Sequence, residues 1–484
     1  MHPDVGPAAP TPPSAQELAD ILHRQKTAFL NTNPPSLTER KANLSKIRMA
    51  LLKNRAGLAK AIDADFGHRS RHETDIMELL GVIQTIDYLT RHLRRFMKPQ
   101  KRHVGMIYRS GKAYVTYQPK GVIGIMAPWN YPVALTLIPL VTALAAGNRA
   151  MLKPSELTPR TSALLQHMLA EIFPVEEVAV IIGDAQTGAA FSGLAFDHLL
   201  FTGSTRVGHM IMKAASDHLV PVTLELGGKS PAVIARSAIN TQTMESLVFG
   251  KLANAGQTCV APDYALVHED DIESFATQYS AIVERFYPQG PTGADYSSII
   301  NDQHYERLQK LIEDAKQKGA RVIEVGSKPQ TAIQRTRTLA PTLILDARDD
   351  MAVMQEEIFG PFLPVRSWRT MEEVIDYINA HPRPLALYYF GPTTDESEQL
   401  LSRTTSGNVG INNTLMHVAQ DDLPFGGVGA SGIGAYHGIE GFLSMSHAKG
   451  VFIQGRWNLP RLLRAPFGRL ADFALASKLG KPQE

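Results

Sequence analysis

The chain has 484 residues, of which 44% are hydrophobic and 20% charged, a composition typical of a folded protein with two or three domains. Its 49 basic and 47 acidic side chains nearly cancel, which argues against a nucleic acid as partner. A single cysteine excludes an internal disulfide and any metal site with several thiolates, and it favours a reducing compartment, so the cytoplasm is the expected location.

The first 120 residues predict a leader, a helical region and a hairpin. Residues 1–14 are rich in proline and alanine, which predicts a disordered leader. Apolar and basic residues alternate at helical spacing from about Ala15 to Met97. Two β-prone runs flank a turn in His103–Lys120, which predicts a hairpin. The longest apolar run, Val133–Gly147, is shorter than the roughly 18 residues of a membrane span and predicts a buried helix instead of a transmembrane segment.

From Gly121 onward the pattern alternates between strand and helix. Short β-prone runs such as GVIGIM, RAMLK, VAVIIG and DHLLFTG are separated by helical stretches. A second alternating block runs from about Asn240 to Asn408, and a glycine-rich segment follows it. The expected fold class is α/β, with two doubly wound parallel-sheet domains and an extended element.

Two polar clusters follow strands of the first block, where ligands of open α/β sheets bind. The amide of Asn130 could donate to a developing oxyanion, or it could cap the helix that follows. Lys153 and Glu156 could hold the hydroxyls of a ribose, or form an exposed, salt-bridged turn. The carboxylate would favour a 2′-hydroxyl over a 2′-phosphate by charge repulsion.

Two later strand ends also carry candidate groups. Backbone amides between Gly203 and Gly208 could meet a pyrophosphate, although a plain strand-to-helix turn has a similar sequence. Apolar neighbours of Glu225 would raise its pKa into the range of a general base. The alternative for Glu225 is a carboxylate that accepts a bond from a backbone amide.

Cys259 is the only cysteine of the chain and follows Gly-Gln-Thr. A free thiol with a pKa near ~8.5 is only a few per cent thiolate at neutral pH, so a catalytic thiol needs an activating group. A lone cysteine is more often a buried, inert residue. The residue by itself leaves both interpretations open.

Taken together, the motifs PWNYP, KPSE, FTGST, ELGGKSP, GQTC and EEIFGP resemble the aldehyde dehydrogenase family in order and in separation. They cover Pro128–Pro361, and flanking similarity extends from about Leu37 to Lys449. The class 3 branch of the family is resembled in two places, at KPSE and at PFGGVGASGIGAYHG followed by SHAK. Within that branch, the sequence looks most like coniferyl aldehyde dehydrogenases at three segments: PPSLTERK, DFGHRSRHET and AGQTCVAPDY.

The resemblance implies a catalytic role for three residues. Cys259 would be the nucleophile that forms a thiohemiacetal and then a thioacyl enzyme. The Asn130 side chain and the Cys259 backbone amide would hold the oxyanion, and Glu225 would activate the water that releases the acid. Because a glutamate in this position serves hydrolysis, it argues against transfer of the acyl group to phosphate or CoA.

The resemblance also implies a site for NAD, and NADP use is consistent with class 3 relatives that accept both. Glu357, which alone could be a solvated charge, would hold the nicotinamide ribose. The implied cofactor residues are Trp129, Lys153, Ser155, Glu156, Gly203, Ser204, Gly208, Leu226, Gly227, Glu357 and Phe359.

The implied domains follow the same resemblance. Residues 15–99 and 121–224 would bind the dinucleotide, 225–407 would form the catalytic domain, and 100–120 with 408–450 would form an oligomerisation element of a homodimer. The basic tail 451–484 would pack on the partner subunit, with weak membrane-surface binding as the alternative.

The expected reaction is oxidation of coniferyl aldehyde to ferulate. A medium- or long-chain aliphatic aldehyde is the alternative substrate, and a non-catalytic protein that retains the fold is the alternative of another class.

Overall fold

The computed structural model describes residues 12–326, 336–458, 460, 461 and 464–480. Most of the predicted leader and parts of the predicted tail therefore lie outside the described residues. The described helices are α1 Ala15–Asn31, α2 Leu37–Phe66, α3 Arg71–Thr74, α4 Gly81–Phe96, α5 Ala134–Ala146, α6 Pro159–Ala170, α7 Ala185–Ser192, α8 Thr205–Ser216, α9 Thr241–Leu252, α10 Ile272–Phe286, α11 Asp302–Gln317, α12 Ala352–Gln355, α13 Met371–Asn379, α14 Asp395–Arg403, α15 Gly438–Ser444 and α16 Arg469–Leu479.

The strands form three sheets. They are β1 Gln100–Arg102, β2 Lys112–Pro119, β3 Val122–Met126, β4 Arg149–Lys153, β5 Val178–Val180, β6 His198–Thr202, β7 Val222–Glu225, β8 Pro231–Ile234, β9 Tyr264–His268, β10 Arg321–Glu324, β11 Thr342–Leu345, β12 Phe362–Trp368, β13 Ala386–Phe390, β14 Asn408–Ile411, β15 Gly432–Ile433 and β16 Ser446–Ile453.

The long N-terminal helices begin at capping boxes. The Ser14 hydroxyl accepts a bond from the Glu17 amide at 3.2 Å, and the Ser36 hydroxyl accepts one from the Glu39 amide at 3.3 Å. Each reciprocal pair satisfies free amides of the first turn, so α1 and α2 start at the next residue. The prediction of helices from about Ala15 to Met97 is confirmed, with a π-helical segment, Asp75–Leu80, between α3 and α4.

The first sheet has six strands in the order β15-β7-β6-β3-β4-β5. All neighbours are parallel except the short β15, which runs antiparallel to β7. The chain passes from β3 to β4 on one side and reaches β6 on the other, so a switch point lies beside β3. Open sheets of this kind bind ligands at such a point. The predicted buried helix is α5, whose side chains are almost all buried and which packs on β3 and β4.

The second sheet has seven strands in the order β10-β11-β12-β9-β8-β13-β14. Only the edge strand β10 is antiparallel to its neighbour. The two predicted doubly wound sheets are therefore confirmed. Because β14 pairs with β13, this sheet continues past residue 407, where the sequence placed the end of the catalytic domain.

The third sheet is antiparallel, in the order β1-β2-β16. Strands β2 and β16 pair along eight residues, from Lys112↔Ile453 to Pro119↔Ser446. The predicted hairpin is correct in its second strand and wrong in its first, which lies at Gln100–Arg102. Residues 106–108 form a 3₁₀ turn instead, since the Tyr108 amide bonds to the Gly105 carbonyl at 2.8 Å.

Within the described part of the chain, no helix is both long enough and apolar enough to cross a membrane.

Candidate active site

A cavity of 570 Å³ lies at the carboxyl ends of β3, β6 and β7. The three predicted catalytic residues line it: Asn130, Glu225 and Cys259. Seven of the predicted cofactor residues line it as well: Trp129, Gly203, Ser204, Leu226, Gly227, Glu357 and Phe359. The other four, Lys153, Ser155, Glu156 and Gly208, lie outside this lining.

The loop before Cys259 has an unusual backbone. Asn254, Ala255 and Gly256 all have positive φ, of 52°, 51° and 77°. A Cβ at Gly256 would lie 2.1 Å from the Gly360 carbonyl oxygen, so only glycine fits there. Left-handed conformations of the other two residues cost energy and persist only where the surroundings fix them. The loop therefore holds Cys259 in one position at the cavity.

The Gln-Thr pair before Cys259 supplies that fixation. The Gln257 amide donates to the carbonyls of Asn254 at 2.9 Å and Ser298 at 3.0 Å, and it accepts a bond from the Ile300 amide at 3.0 Å. The Thr258 hydroxyl donates to the Ala253 carbonyl at 3.3 Å. These bonds explain the Gln and Thr of GQTC, because they brace the loop that carries Cys259 internally and tie it to the neighbouring segment 298–300.

The thiol of Cys259 is half-buried at the cavity wall. Burial raises its pKa to about 12, and the charges of Glu357 and Glu225 contribute in the same direction. The thiol is therefore protonated at neutral pH. Its reaction with an electrophile requires a group that takes the proton or a cation that stabilises the thiolate.

Asn130 is buried and does not cap the following helix, so that interpretation of the sequence is wrong. Its Nδ2 donates to the Gln257 carbonyl at 3.1 Å, which leaves a second N–H on the same nitrogen. The first amides of α5 are capped by Glu78 instead, whose Oε2 accepts from Val133 at 2.6 Å and Ala134 at 3.1 Å. The Asn130 side chain is thus held beside the nucleophile loop and is free for a further hydrogen bond.

A buried ion pair fixes the backbone of Asn130. Arg69 Nη1 donates to Glu78 Oε1 at 2.9 Å and to the Asn130 carbonyl at 3.0 Å. The guanidinium lies between the rings of Phe66 and Tyr131, at 5.1 and 4.8 Å from their centroids. Neither residue of this pair was predicted from the sequence, although both lie in or just after the quoted motif DFGHRSRHET. Only the fold brings that motif to Asn130.

Glu225 ends β7 and is 2% exposed. None of the described residues hydrogen-bonds to either oxygen of its carboxyl group, so the interpretation as a carboxylate satisfied by a backbone amide is wrong. Burial raises its pKa well above the ordinary value. Its backbone is fixed on both sides, since its carbonyl accepts from the Gly203 amide at 2.9 Å and it pairs with Gly432 of β15.

The predicted pyrophosphate segment forms the start of α8. The Ser204 hydroxyl caps the helix by accepting a bond from the Val207 amide at 3.4 Å. A Cβ at Gly208 would lie 2.8 Å from the Leu226 side chain, so Gly208 permits close packing of α8 on the residue after β7. Ser204, Thr205 and Arg206 at this helix start line the cavity, and a helix start suits an anion.

The predicted ribose contacts lie one strand away from the cavity. Lys153 is 4% exposed, and its Nζ donates to the Pro154 carbonyl at 3.0 Å. Its Nζ also lies 3.7 Å from the exposed Glu156 carboxylate. The salt bridge that the alternative interpretation expected is present, but its lysine is buried. Ser155 is internal to the turn, where its hydroxyl accepts from the Leu157 amide at 3.2 Å.

Glu357 is half-buried at the cavity, so it is not the solvated charge that its acidic surroundings suggest. Burial raises its pKa to about 8, and the charge of Asp263 adds to this, while a bond from the Gly228 backbone opposes it. A Cβ at Gly227 would lie 2.3 Å from its carboxylate, so this glycine leaves room for the side chain.

A second ion pair holds the segment that carries Glu357. Lys229 Nζ pairs with Asp263 and donates to the carbonyls of Val353 at 2.8 Å and Glu356 at 3.1 Å. The other oxygen of Asp263 accepts from the Ile358 amide at 3.0 Å. Sequence analysis did not assign this pair, although Lys229 lies in ELGGKSP and Asp263 in CVAPD. We call these two residues the loop clamp.

Aromatic rings form the wall of the cavity near Glu357. The Trp129 ring lies 5.4 Å from the Phe359 ring in an edge-on arrangement and 5.0 Å from the His304 ring. Phe359 has a positive φ of 52°. These rings, set edge-on and tilted to one another, give the cavity an aromatic wall against which a planar ring can pack.

The model of the aldehyde dehydrogenase family matches residues 12–451. The chain belongs to this family. It is therefore an enzyme that oxidises an aldehyde to a carboxylic acid with NAD(P), and the resemblance seen in the motifs is confirmed.

Three relatives extend this result. A "Probable coniferyl aldehyde dehydrogenase" of Caulobacter vibrioides is 47% identical over 96% of both chains. The "Coniferyl aldehyde dehydrogenase" of Pseudomonas sp. is 46% identical over 94% of this chain and 95% of the relative. "Aldehyde dehydrogenase family 3 member A2" of Rattus norvegicus is 36% identical over 90% of this chain and 88% of the relative.

A solved structure shows the same architecture. The crystal structure of a Mycobacterium tuberculosis aldehyde dehydrogenase in complex with NAD+ superposes with a TM-score of 0.82. It is 27% identical in sequence and covers 92% of this chain and 91% of its own. The α/β fold expected from the sequence is confirmed.

Proposed function

We propose that this aldehyde dehydrogenase converts coniferyl aldehyde to ferulate, with Cys259 as nucleophile, Asn130 as oxyanion donor and Glu225 as general base. The observation that carries the roles is that one 570 Å³ cavity contains all three groups and a helix start suited to an anion. The substrate follows from the names of two relatives that are 46% and 47% identical.

The first step is loss of the Cys259 thiol proton to water, followed by attack of the thiolate sulfur on the aldehyde carbon. The carbonyl oxygen becomes an oxyanion, and the free N–H of Asn130 Nδ2 and the Cys259 backbone amide donate to it. Because Arg69 and Gln257 hold Asn130 in place, its amide needs no rearrangement during the reaction. Preorganised donors of this kind stabilise a transition state more than mobile ones.

NAD(P), when bound, would supply the hydride acceptor and a positively charged ring near the thiol, which favours the thiolate. The product on the protein is a thioester at Cys259. Glu225 then takes a proton from water, the hydroxyl adds to the thioester carbon, and the carboxylic acid leaves as the thiol is restored. A buried carboxyl group without a protein partner among the described residues, and with a raised pKa, suits this role.

The dinucleotide fits the residues present. The amides at the start of α8, near Gly203 and Ser204, would hold the pyrophosphate, and Gly208 and Leu226 shape the packing beneath it. Glu357, in the space left by Gly227, would bind the nicotinamide ribose. Trp129 and Phe359 would flank the nicotinamide ring.

Lys153, Ser155 and Glu156 lie outside the cavity lining and would hold the adenosine ribose. An exposed carboxylate at Glu156 disfavours a 2′-phosphate, so we propose NAD as the preferred cofactor and NADP as a weaker one.

We further propose a cytoplasmic homodimer. The edge strand β14 exposes Val409 and Ile411 at 39% and 44%, and β16 is a second exposed edge. Pairing of one subunit's β16 with its partner's β14 would cover both edges. A reducing cytoplasm would keep the single thiol active.

Steady-state kinetics with coniferyl aldehyde, benzaldehyde, hexanal and decanal test the substrate. We expect the highest kcat/KM for coniferyl aldehyde, with ferulate formed without added CoA or phosphate. A higher kcat/KM for decanal would reject the aromatic substrate.

Two variants test the roles. Cys259→Ala should abolish NADH formation and keep NAD binding. Glu225→Gln should keep a burst of NADH and slow the later turnover by about 10²-fold or more. Loss of the burst in Glu225→Gln would contradict the role of Glu225 in hydrolysis.

A further inference from the structure

Two histidines near the C-terminal glycine-rich segment lie in a group of aromatic rings. The rings of His417 and His437 lie 6.2 and 5.1 Å from the Phe425 ring, and His437 is stacked on it at 29°. The His417 ring is 5.7 Å from that of Tyr388, and the His437 ring is 4.5 Å from that of Tyr436. We call these five residues the aromatic cluster.

The aromatic cluster adjoins the nucleophile loop. The Tyr388 hydroxyl donates to the Val260 carbonyl at 2.6 Å, one residue beyond Cys259. Burial raises the pKa of Tyr436, and the charges of Glu225 and Cys259 add to that shift, as expected for close neighbours. No member of the cluster lines the cavity proposed for the cofactor. The cluster thus lies beside the thiol and apart from that cavity.

The imidazoles of the cluster have unsatisfied polar atoms. The nitrogens of His417 and His437 are buried, and none of the described residues hydrogen-bonds to any of the four. Another buried histidine, His198, shows the usual arrangement, with its nitrogens 2.9 Å from the Thr223 hydroxyl and 3.2 Å from Lys120 Nζ. Buried polar atoms without partners are costly, so the two cluster histidines call for an explanation.

Both imidazoles are neutral at physiological pH. Burial lowers the pKa of each to about 4, and for His437 the neighbouring His417 adds to the effect. A neutral imidazole offers one N–H donor and one acceptor nitrogen. The pair therefore presents two donors and two acceptors among aromatic rings, close to the nucleophile.

We propose that the aromatic cluster recognises the far end of the aldehyde, and that His417 and His437 hydrogen-bond to the phenol hydroxyl and methoxy oxygen of a hydroxylated aromatic substrate. This inference rests on the proposed function and names the residues that select its substrate class. A phenol both donates and accepts, which matches neutral imidazole. An alkyl chain would leave the four nitrogens unpaired, so the cluster discriminates against it.

The test compares coniferyl aldehyde with cinnamaldehyde, which lacks both the hydroxyl and the methoxy group. We expect the wild-type enzyme to favour coniferyl aldehyde by about tenfold or more in kcat/KM. His417→Phe and His437→Phe should each reduce this ratio, and the double variant should bring it near one. The kcat/KM for cinnamaldehyde should change by less than about threefold.

His23→Phe, a change at an exposed histidine of α1, is the matched control and should keep the wild-type ratio. His437→Gln should restore part of the ratio, because an amide also donates and accepts. An unchanged ratio in the double His→Phe variant would overturn the inference and assign the two imidazoles to the core alone.

A binding measurement covers the case in which the His→Phe variants do not fold. Titration calorimetry of the wild-type protein should show ferulate binding at least about fivefold more tightly than cinnamate, and equal affinities would overturn the inference. Failure of this inference can be told apart from failure of the proposed function. Preference of the wild type for decanal rejects the proposed function, whereas preference for coniferyl aldehyde that survives the histidine changes rejects only the inference.

Discussion

Cys259 lies in an environment that suppresses its reactivity in the protein without ligands. Burial and two neighbouring carboxyl groups all favour the neutral thiol. This arrangement protects a nucleophile from unwanted electrophiles until a cation lies nearby. In the proposed mechanism, the burial and the two carboxyl groups therefore determine both how well the thiol is protected and when it attacks the aldehyde.

The raised pKa predicts how alkylation of Cys259 depends on pH. Since the pKa lies at about 12, the thiolate fraction should rise about tenfold per pH unit from pH 7 to pH 10. The rate of carboxamidomethylation by iodoacetamide should follow it without a plateau. A free cysteine peptide, which levels off above its pKa of about 8.5, is the control. A plateau for the protein below pH 9 would show a stabilised thiolate and contradict the structure.

Gly227→Ala tests the close approach between Gly227 and Glu357. The new Cβ would lie 2.3 Å from the carboxylate, so Glu357 has to move away from its place at the cavity. We expect the KM for NAD to rise by about tenfold or more, with little effect on cofactor-free hydrolysis of p-nitrophenyl acetate.

Gly81→Ala is the matched control for that change. Gly81 starts α4 with helical dihedrals, and no atom lies within 4 Å of a Cβ built there. The substitution should leave the KM for NAD unchanged and stabilise the helix by up to about 1 kcal/mol. A similar rise in KM for both variants would indicate general damage and not displacement of Glu357.

At the level of secondary structure, the loop clamp connects three segments. Lys229 precedes β8, Asp263 precedes β9, and both bond to the stretch that runs from Val353, within α12, to Ile358. Neither residue lines the cavity. The clamp therefore holds the backbone around Glu357, the residue proposed to bind the nicotinamide ribose.

Lys229→Met should loosen that segment. We expect the KM for NAD to rise by about tenfold, because an ion pair and two hydrogen bonds to carbonyls are lost, while kcat changes less. Lys318→Met is the matched control, since Lys318 also pairs with an aspartate and donates to the backbone carbonyl of Asp350, at 2.6 Å. An equal rise in the KM for NAD in both variants, or an unchanged KM for Lys229→Met, would contradict the positioning role of the clamp.

The elements of the fold could be predicted where local signals are strong. Strand–helix alternation with buried β-prone runs placed β3 to β6, and the longest apolar run marked α5. The first hairpin strand was misplaced because consecutive turns after Gly105 override β propensity. The two-residue β15 has no local signal, since its position depends on pairing with β7.

For the whole molecule, the exposed edge of β14 predicts dimerisation. Val409→Lys with Ile411→Lys places two charges on that edge, where lysine opposes strand pairing. We expect sedimentation velocity to show a dimer for the wild type and a species near the 53.0 kDa chain mass for the variant. A wild-type protein that sediments as a monomer at micromolar concentration would reject the homodimer.

The candidate site, like the elements of the fold, could be predicted only in part from the sequence. Five of the six ordered motifs supply residues that line the cavity, because chemistry restricts their type, whereas KPSE lies outside the lining. The residues that hold them were not identifiable: Arg69 and Glu78 lie more than 50 residues before Asn130, and only tertiary packing joins them. The same holds for the aromatic cluster, whose members come from two separate stretches of the chain.

The single cysteine has a consequence for oxidative damage. Oxidation of Cys259 by peroxide would give a sulfenic acid, and a protein with a second thiol could trap it as a reversible internal disulfide. This chain has no other cysteine, so the next steps are an external thiol, which rescues the enzyme, or further peroxide, which inactivates it permanently. We therefore expect survival of the enzyme under oxidative stress to depend on the external thiols available to it.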